Sequence, residues 1–140
     1  MQLNVRLNGK TATRDRAKTY YAVIETPRGF RNKFEFDPEL GQYRLKKVLP
    51  VGAVFPYDFG FFPETLAEDG DPLDVLVLMD EPAFPGCVVE VRLVGVIEAK
   101  QTKKRKRIRN DRLIAAAVEA HAYQHVRSIE DLSPYLVQEL

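Results

Sequence analysis

Three aspartates crowd into one short turn near the middle of the chain. Asp69, Asp71 and Asp74 fall within six residues and are followed at once by the apolar residues 75–78. Gly70 allows a sharp bend of the backbone, and Pro72 restricts the backbone angle φ. The carboxylates are therefore expected on a rigid loop. Because like charges this close repel one another, the turn predicts a bound cation or proton. The apolar run predicts a buried strand that anchors the loop.

Other segments predict short strands separated by turns. Residues 33–36 alternate polar and aromatic side chains, so Lys33 and Glu35 are expected on one face of a strand. The turn at 37–41 then predicts a hairpin with 43–48. Residues 50–63 are rich in aromatic side chains but too interrupted by proline for a helix, which predicts a buried, irregular wall.

Together, these segments indicate a chain that is mainly β, with a few helices added (class α+β). Further strands are expected at residues 20–25 and 75–78, and one long or two short strands at 88–97. A strand or a helix is expected at 109–118, and a short C-terminal helix beginning at Ser133 and Pro134. Many short strands with few helices predict a small β-barrel.

Length and composition set the outer limits. The 140 residues suit one domain spanning 1–140, in which the basic residues 1–19 form either a loose arm or an extra edge strand. Cys87 is the single cysteine, which excludes an internal disulfide and favours a reducing compartment. The sequence has no apolar run of about 20 residues, as a membrane span requires, and no signal-peptide core. We therefore expect a cytoplasmic protein with no membrane partner.

Three kinds of site compete for the acidic turn. A calcium-binding EF-hand is excluded, because the fifth and sixth positions counted from Asp69 are Leu73 and Asp74 rather than an oxygen ligand and a glycine. A plain surface turn accounts for Asp69 and Asp71 but not for Asp74, which continues into the strand. A Mg²⁺ site accounts for all three, with Asp69 and Asp74 on the metal and Asp71 orienting or deprotonating a water.

The sequence Asp-Gly-Asp-Pro-Leu-Asp-Val-Leu-Val at 69–77 resembles the signature of the soluble type I inorganic pyrophosphatases. Residues 55–66 resemble the aromatic Pro-x-Asn-Tyr-Gly stretch of that family, and 33–35 resemble its Lys-Tyr-Glu strand. The resemblance extends from residue 23 to the end of the chain, which looks like a divergent, C-terminally short member. It implies an OB-like closed β-barrel with few flanking helices.

The resemblance also implies roles for individual residues. Asp69 and Asp74 would ligate the principal Mg²⁺, with Asp74 bridging to a second ion, and Asp71 would be the general base at the metal cluster. Glu25 and Glu35 match two further acids that bind metal directly or through water, although for Glu25 a strand-end charge facing water is nearly as good an interpretation. Lys33 would hold phosphate oxygens, and the family suggests a homo-oligomer.

Several positions depart from the family pattern. Phe55 and Phe59 stand where the family has tyrosines, and Asp58 replaces its asparagine. Lys47 takes the place of a phosphate-binding arginine, so a point charge replaces a bidentate fork. Two acids that complete the metal cluster are lost near Gln101 and Asn110, a family lysine aligns with Arg112, and a terminal Tyr-Lys pair that contacts phosphate is missing.

A basic loop replaces the lost acids. Residues 103–107 are all lysine or arginine, and such a run is most often a solvated hairpin tip. Arg112, at the base of the loop, could instead reach a phosphate and reduce the need for metal. We therefore expect Mg²⁺-dependent hydrolysis of pyrophosphate or a related phosphoanhydride in phosphate metabolism. The alternative is a degraded binding module that uses residues 100–112 for nucleic acid or a protein partner.

Overall fold

A computed structural model describes most of the chain. Backbone placement covers residues 6–7, 10–11, 18–63, 65, 72–98, 100–103, 106–109 and 111–139, and side chains are described for 18–63, 65, 72–98 and 111–137. Asp69, Asp71, Gln101 and Asn110 therefore lie outside the residues whose side chains are described, as do the arm at 1–17 and the basic run.

The described elements are almost all strands. In chain order they are β1 Arg6–Leu7, β2 Lys10–Thr11, β3 Thr19–Thr26, β4 Asn32–Asp37, β5 Gln42–Val48, β6 Asp58–Phe62, β7 Leu73–Leu78, β8 Val88–Ile97, β9 Lys100–Lys103, β10 Lys106–Arg109 and β11 Arg112–Ala117, followed by a 3₁₀ turn Ile129–Asp131 and helix α1 Pro134–Glu139. None of the helices in the described part is long and apolar enough to cross a membrane.

Five strands close into a barrel in the order β11-β7-β6-β3-β8. The pair β7–β11 is parallel and the other pairs are antiparallel. Burial alternates along β6, as expected for a strand. The first, third and fifth residues, Asp58, Gly60 and Phe62, are buried, and the two residues between them are half-buried. The barrel interior is filled by apolar side chains such as Ile24, Val75 and Val91, all fully buried.

One glycine allows two barrel strands to approach closely. A Cβ atom added to Gly60 would lie 2.1 Å from the backbone oxygen of Val23 on β3. The register between β3 and β6 also shifts between Ile24 and Thr26. A bulge of this kind bends a strand, and here the bend allows β3 to pair with both β6 and β8 in the closed sheet.

The antiparallel hairpin β4–β5 leaves the barrel at the end of β3. Thr26 is fully buried, and its hydroxyl both donates to the carbonyl of Phe34 and accepts from the N–H of Phe34, each at 2.9 Å. This side chain therefore acts as a substitute strand partner for β4. The phenylalanine face of the hairpin packs Phe36 against Tyr43, with ring centroids 5.3 Å apart.

The C-terminal segment is attached to the barrel by Arg92 on β8. This buried guanidinium donates to the carbonyls of Tyr123 and Val126 at 2.9 and 3.3 Å. The helix begins after Ser133, whose hydroxyl accepts from the N–H of Tyr135 at 3.3 Å. The terminal helix was therefore predicted with the correct start.

The predicted architecture is confirmed, with four refinements. The closed barrel, the hairpin and the mainly β composition are as expected. The buried, irregular wall predicted at 50–63 was only partly right, because its last third is the regular strand β6 and its first part is not buried, with Val51 87% and Val54 51% exposed. Residues 88–97 form one long strand, and the ambiguity at 109–118 resolves as strand β11. The 3₁₀ turn was not predicted.

Candidate active site

Three carboxylates from three strands line one cavity at the barrel surface. Glu25 comes from the end of β3, Glu35 from β4 and Asp74 from the start of β7, and the cavity has a volume of about 240 Å³. Phe36 and Phe61 are among its other lining residues. We call this space the acidic cavity. It brings together the acids that the sequence placed in separate segments.

Glu25 is the most deeply placed of these acids, with only 9% of its surface exposed. Its Oε2 accepts a hydrogen bond from the N–H of Phe36 at 2.8 Å. Burial, with the nearby charges of Glu35 and Asp74, raises the pKa of Glu25 to about 7 from an ordinary value of 4.5. The interpretation of Glu25 as a strand-end charge facing water is therefore wrong, since the side chain points toward other acids.

Glu35 is held by a lysine that the sequence analysis did not single out. Lys46 Nζ lies 2.7 Å from Glu35 Oε2, and about half of each side chain is exposed. A register shift between Lys33 and Phe34 brings Lys46 to this position, because one strand has an extra residue there. A bulge leaves no signal in the alternation of a sequence, which explains why Lys46 was missed.

A second cavity of about 300 Å³ is lined by three cations: Lys33 on β4, Lys47 on β5 and Arg112 at the start of β11. We call it the cation cavity. Burial, followed by repulsion from Lys46, lowers the pKa of the Lys33 amine. The predicted phosphate ligands are thus collected in one place.

The two cavities lie side by side on the same strands. Strand β4 contributes Glu35 to the acidic cavity and Lys33 to the cation cavity, and β7 contributes Asp74 and Leu76 in the same way. Two residues along a strand span roughly 7 Å and point to the same face. Acidic and cationic groups are therefore separated by one side-chain repeat.

Arg112 is fixed at the boundary between the cavities. It is the register partner of Asp74 in the parallel pair β7–β11. Its guanidinium carbon lies 5.7 Å from the centroid of the Phe59 ring, within the range of a cation–π contact. The ring of Phe59 therefore supports the guanidinium group of Arg112 from one side.

The base of the acidic turn is closed by Thr65. Its buried hydroxyl donates to the carbonyl of Phe62 at 2.6 Å and accepts from the N–H of Leu73 at 2.8 Å. These bonds join the end of β6 to the start of β7. Pro72, which precedes β7, is also a lining residue of the acidic cavity.

Asp58, which replaces the family asparagine, lies away from both cavities. The side chain is 1% exposed and its Oδ2 accepts from the N–H of Ala83 at 2.9 Å, while Oδ1 has no hydrogen-bond partner among the described residues. Burial raises the pKa of this carboxyl group. Its contacts fix the loop after β7 rather than the site.

Comparison with known proteins decides the family. The family model for inorganic pyrophosphatase matches residues 22–140. The chain belongs to the inorganic pyrophosphatase family. The predicted resemblance to the soluble type I enzymes is confirmed, as is the OB-like barrel that it implied.

Individual relatives agree with this inorganic pyrophosphatase assignment. The chain is 40% identical to an inorganic pyrophosphatase of Synechocystis sp. over 118 residues, covering 84% of this chain and 68% of the relative. It is 44% identical to that of Thermus thermophilus over 120 residues, covering 86% and 66%. The crystal structure of the inorganic pyrophosphatase from Thermus thermophilus aligns with a TM-score of 0.83 at 41% identity, covering 93% of this chain and 72% of that one.

Membership of the inorganic pyrophosphatase family implies a divalent metal cofactor. Within the described residues, no three acid, histidine or cysteine side chains are grouped closely enough to hold an ion. The donors that line the acidic cavity are nonetheless of the right kind, because carboxylate oxygens are the ligands that hard divalent cations prefer. Burial, and after it the charges of Glu35 and Asp74, raise the pKa of Glu25, and a bound cation would favour the ionised carboxylate again.

Proposed function

We propose that this pyrophosphatase-family chain hydrolyses inorganic pyrophosphate to phosphate with Mg²⁺ as cofactor. The observation that carries the proposal is the placement of the acidic cavity beside the cation cavity on shared strands. One cavity suits a cation and the other suits the oxygens of a phosphate. The relatives, which are named inorganic pyrophosphatases, support the same substrate.

Five acids would hold the metal: Asp69, Asp71, Asp74, Glu25 and Glu35. When bound, Mg²⁺ lowers the pKa of a coordinated water and neutralises phosphate charge. Asp74, Glu35 and Glu25 line the acidic cavity, and Glu25 is 9% exposed. Thr65 supports the loop of Asp69 and Asp71 from its base.

The chain's own groups perform the remaining steps. Asp71 would act as the general base, accepting the proton of the attacking water. Lys33, Lys47 and Arg112 would orient the phosphate oxygens and stabilise the charge that develops on the leaving phosphate. All three cations project from strands, β4, β5 and β11, which set the positions of their backbones around the cavity.

The alternative, a binding module without catalysis, has less support. The basic loop would be its main feature, but the comparisons give relatives named as enzymes over most of the chain. We further propose one domain over 1–140, a cytoplasmic location and self-association of the chain. Each of these three points rests on the sequence arguments and the family resemblance.

Phosphate release from pyrophosphate tests the function. We expect turnover that requires Mg²⁺ and that falls by roughly a hundredfold or more in Asp71→Asn, because a lost general base typically costs that much. Asp37→Asn is a matched control, since this carboxylate pairs with Arg44 on the hairpin. Equal rates for the native chain and Asp71→Asn would remove Asp71 from the mechanism, and no turnover at all would overturn the proposed activity.

A further inference from the structure

Most of the described residues that line the cation cavity are apolar. Apart from the three cations, the described lining consists of Leu49, Phe55, Pro56, Tyr57, Phe59 and Leu76. Inorganic pyrophosphate is a compact polyanion, and apolar surface cannot replace the water that it loses on binding. The lining is therefore better matched to a ligand that carries an apolar group beside its phosphates.

This apolar wall is rigid. The rings of Phe55 and Phe59 meet edge to face with centroids 6.3 Å apart, and Arg112 covers the Phe59 ring. The N–H of Phe55 donates to the carbonyl of Phe30 at 2.9 Å, and the carbonyl of Phe55 accepts from the N–H of Gly29 at 2.8 Å. A wall fixed in this way binds an apolar group without first having to be ordered.

Size and order along the strands also matter. The acidic cavity of about 240 Å³ and the cation cavity of about 300 Å³ adjoin on β4 and β7. Pockets for small organic ligands range from about 300 to 1,000 Å³, so the two cavities together reach that range. With a terminal phosphate at the carboxylates and the next phosphate at the cations, a substituent on the second phosphate would enter the apolar part.

We propose that the site also hydrolyses organic diphosphates, in which an aromatic or apolar alcohol is esterified to pyrophosphate. This inference rests on the proposed function, because it uses the same metal and the same general base. Water oxygen forms a bond to the terminal phosphorus, and the bond from that phosphorus to the bridging oxygen breaks. The products are phosphate and the organic monophosphate, and the proton from water is released to the solution.

A pair of substrates that differ only in the apolar group tests the inference. Phenyl diphosphate and methyl diphosphate carry the same charges, and inorganic pyrophosphate is measured beside them with Mg²⁺. We expect kcat/KM for phenyl diphosphate to exceed that for methyl diphosphate by at least roughly tenfold, since the ring buries apolar area that the methyl group cannot. A ratio near one, or no turnover of phenyl diphosphate, would overturn the inference.

Variants of the apolar wall test whether the preference for phenyl diphosphate arises in the cation cavity. Phe55→Asn and Leu49→Asn each introduce a polar amide there, and we expect both to lower the phenyl-to-methyl ratio by about tenfold. Val51→Asn is the matched control, because Val51 is 87% exposed and lies outside the cavity lining. If Phe55→Asn fails to fold, Leu49→Asn decides, and an unchanged ratio in a folded variant contradicts the inference.

The three substrates also separate this inference from the proposed function. Hydrolysis of pyrophosphate without hydrolysis of phenyl diphosphate would leave the proposed function standing and overturn the organic substrate. Hydrolysis of phenyl diphosphate alone would support the organic substrate and overturn pyrophosphate as the substrate. Failure of all three would overturn both.

Discussion

Arg112 places a permanent positive charge next to Asp74, at the boundary between the cavities. Its contact with Phe59 orients the guanidinium plane, which a lysine side chain cannot reproduce. A fixed cation of this kind performs part of the charge neutralisation that metal otherwise performs. We expect Arg112→Ala to raise the Mg²⁺ concentration for half-maximal activity by roughly tenfold, with a smaller rise for Arg112→Lys.

Phosphate release over a Mg²⁺ titration measures this effect. Arg44→Ala serves as the control, because Arg44 is an exposed arginine that pairs with Asp37 on the hairpin. If the Mg²⁺ requirement of Arg112→Ala matches that of the native chain, the arginine does not substitute for metal.

Glu25 should make the metal-free protein less stable as pH rises. Its pKa is raised to about 7 in the folded chain from an ordinary 4.5, so folding favours the protonated form. The associated stability is fully present below pH 4.5 and is lost as pH rises through 7. The loss amounts to about 3 kcal/mol in the free energy of unfolding.

Urea unfolding in the presence of a chelator tests this pH dependence. Glu25→Gln has no charge to lose, and its amide oxygen can still accept from the N–H of Phe36. The difference in the free energy of unfolding between the native chain and Glu25→Gln should therefore change by about 3 kcal/mol as pH rises from 4.5 through 7. A constant difference would mean that Glu25 titrates alike in the folded and unfolded chains.

Individual residues show how far the sequence could predict the site. The alternation at 33–36 correctly placed Lys33 and Glu35 on one face, because strand geometry has a period of two. Whether Glu25 faces water or other acids could not be predicted, since β4 crosses the end of β3 only in the folded chain. The apposition of Arg112 and Asp74 likewise depends on a parallel pairing between distant segments.

At the scale of elements, the junction of β6 and β7 determines where the acidic turn is attached. Thr65 makes two hydrogen bonds there from a buried position. Thr65→Val keeps the shape but leaves the N–H of Leu73 without its acceptor. We expect a loss of about 1 to 3 kcal/mol in the free energy of unfolding and a weaker Mg²⁺ response, because the loop of Asp69 and Asp71 loses its anchor.

Thr65→Ser retains the hydroxyl and is the matched control for this element. Urea unfolding gives the stability, and phosphate release over a Mg²⁺ titration gives the metal response. If Thr65→Val has the stability and the Mg²⁺ response of the native chain, the junction of β6 and β7 is held by packing alone.

Strands were predicted best where their pattern is unbroken. Residues 75–78 and 43–48 lie within β7 and β5. Strand β6 was hidden because Gly60 adds no apolar side chain to its buried face and prolines stand on both sides. A side chain at position 60 would collide with the backbone of Val23, so the position requires glycine. This tertiary contact cannot be seen in the sequence.

At the scale of the whole molecule, metal binding and folding should be linked. The acidic cavity gathers Glu25, Glu35 and Asp74, and ionisation of the buried Glu25 beside the other two acids destabilises the metal-free fold. A cation that binds only the folded chain stabilises it by about 2.7 kcal/mol at a hundred times its Kd. For a domain of this size the gain corresponds to a rise in Tm of roughly 8 to 10 °C.

Thermal unfolding with increasing MgCl₂ measures this linkage, with NaCl at matched ionic strength as the control for screening. We expect Mg²⁺ to raise the Tm of the native chain and to raise that of Asp74→Asn far less, because Asp74 would ligate the ion. A smaller Mg²⁺ response in Asp74→Asn, with no such difference in NaCl, distinguishes a cation site from a structural carboxylate. Equal Mg²⁺ responses in the two proteins would exclude Asp74 as a ligand.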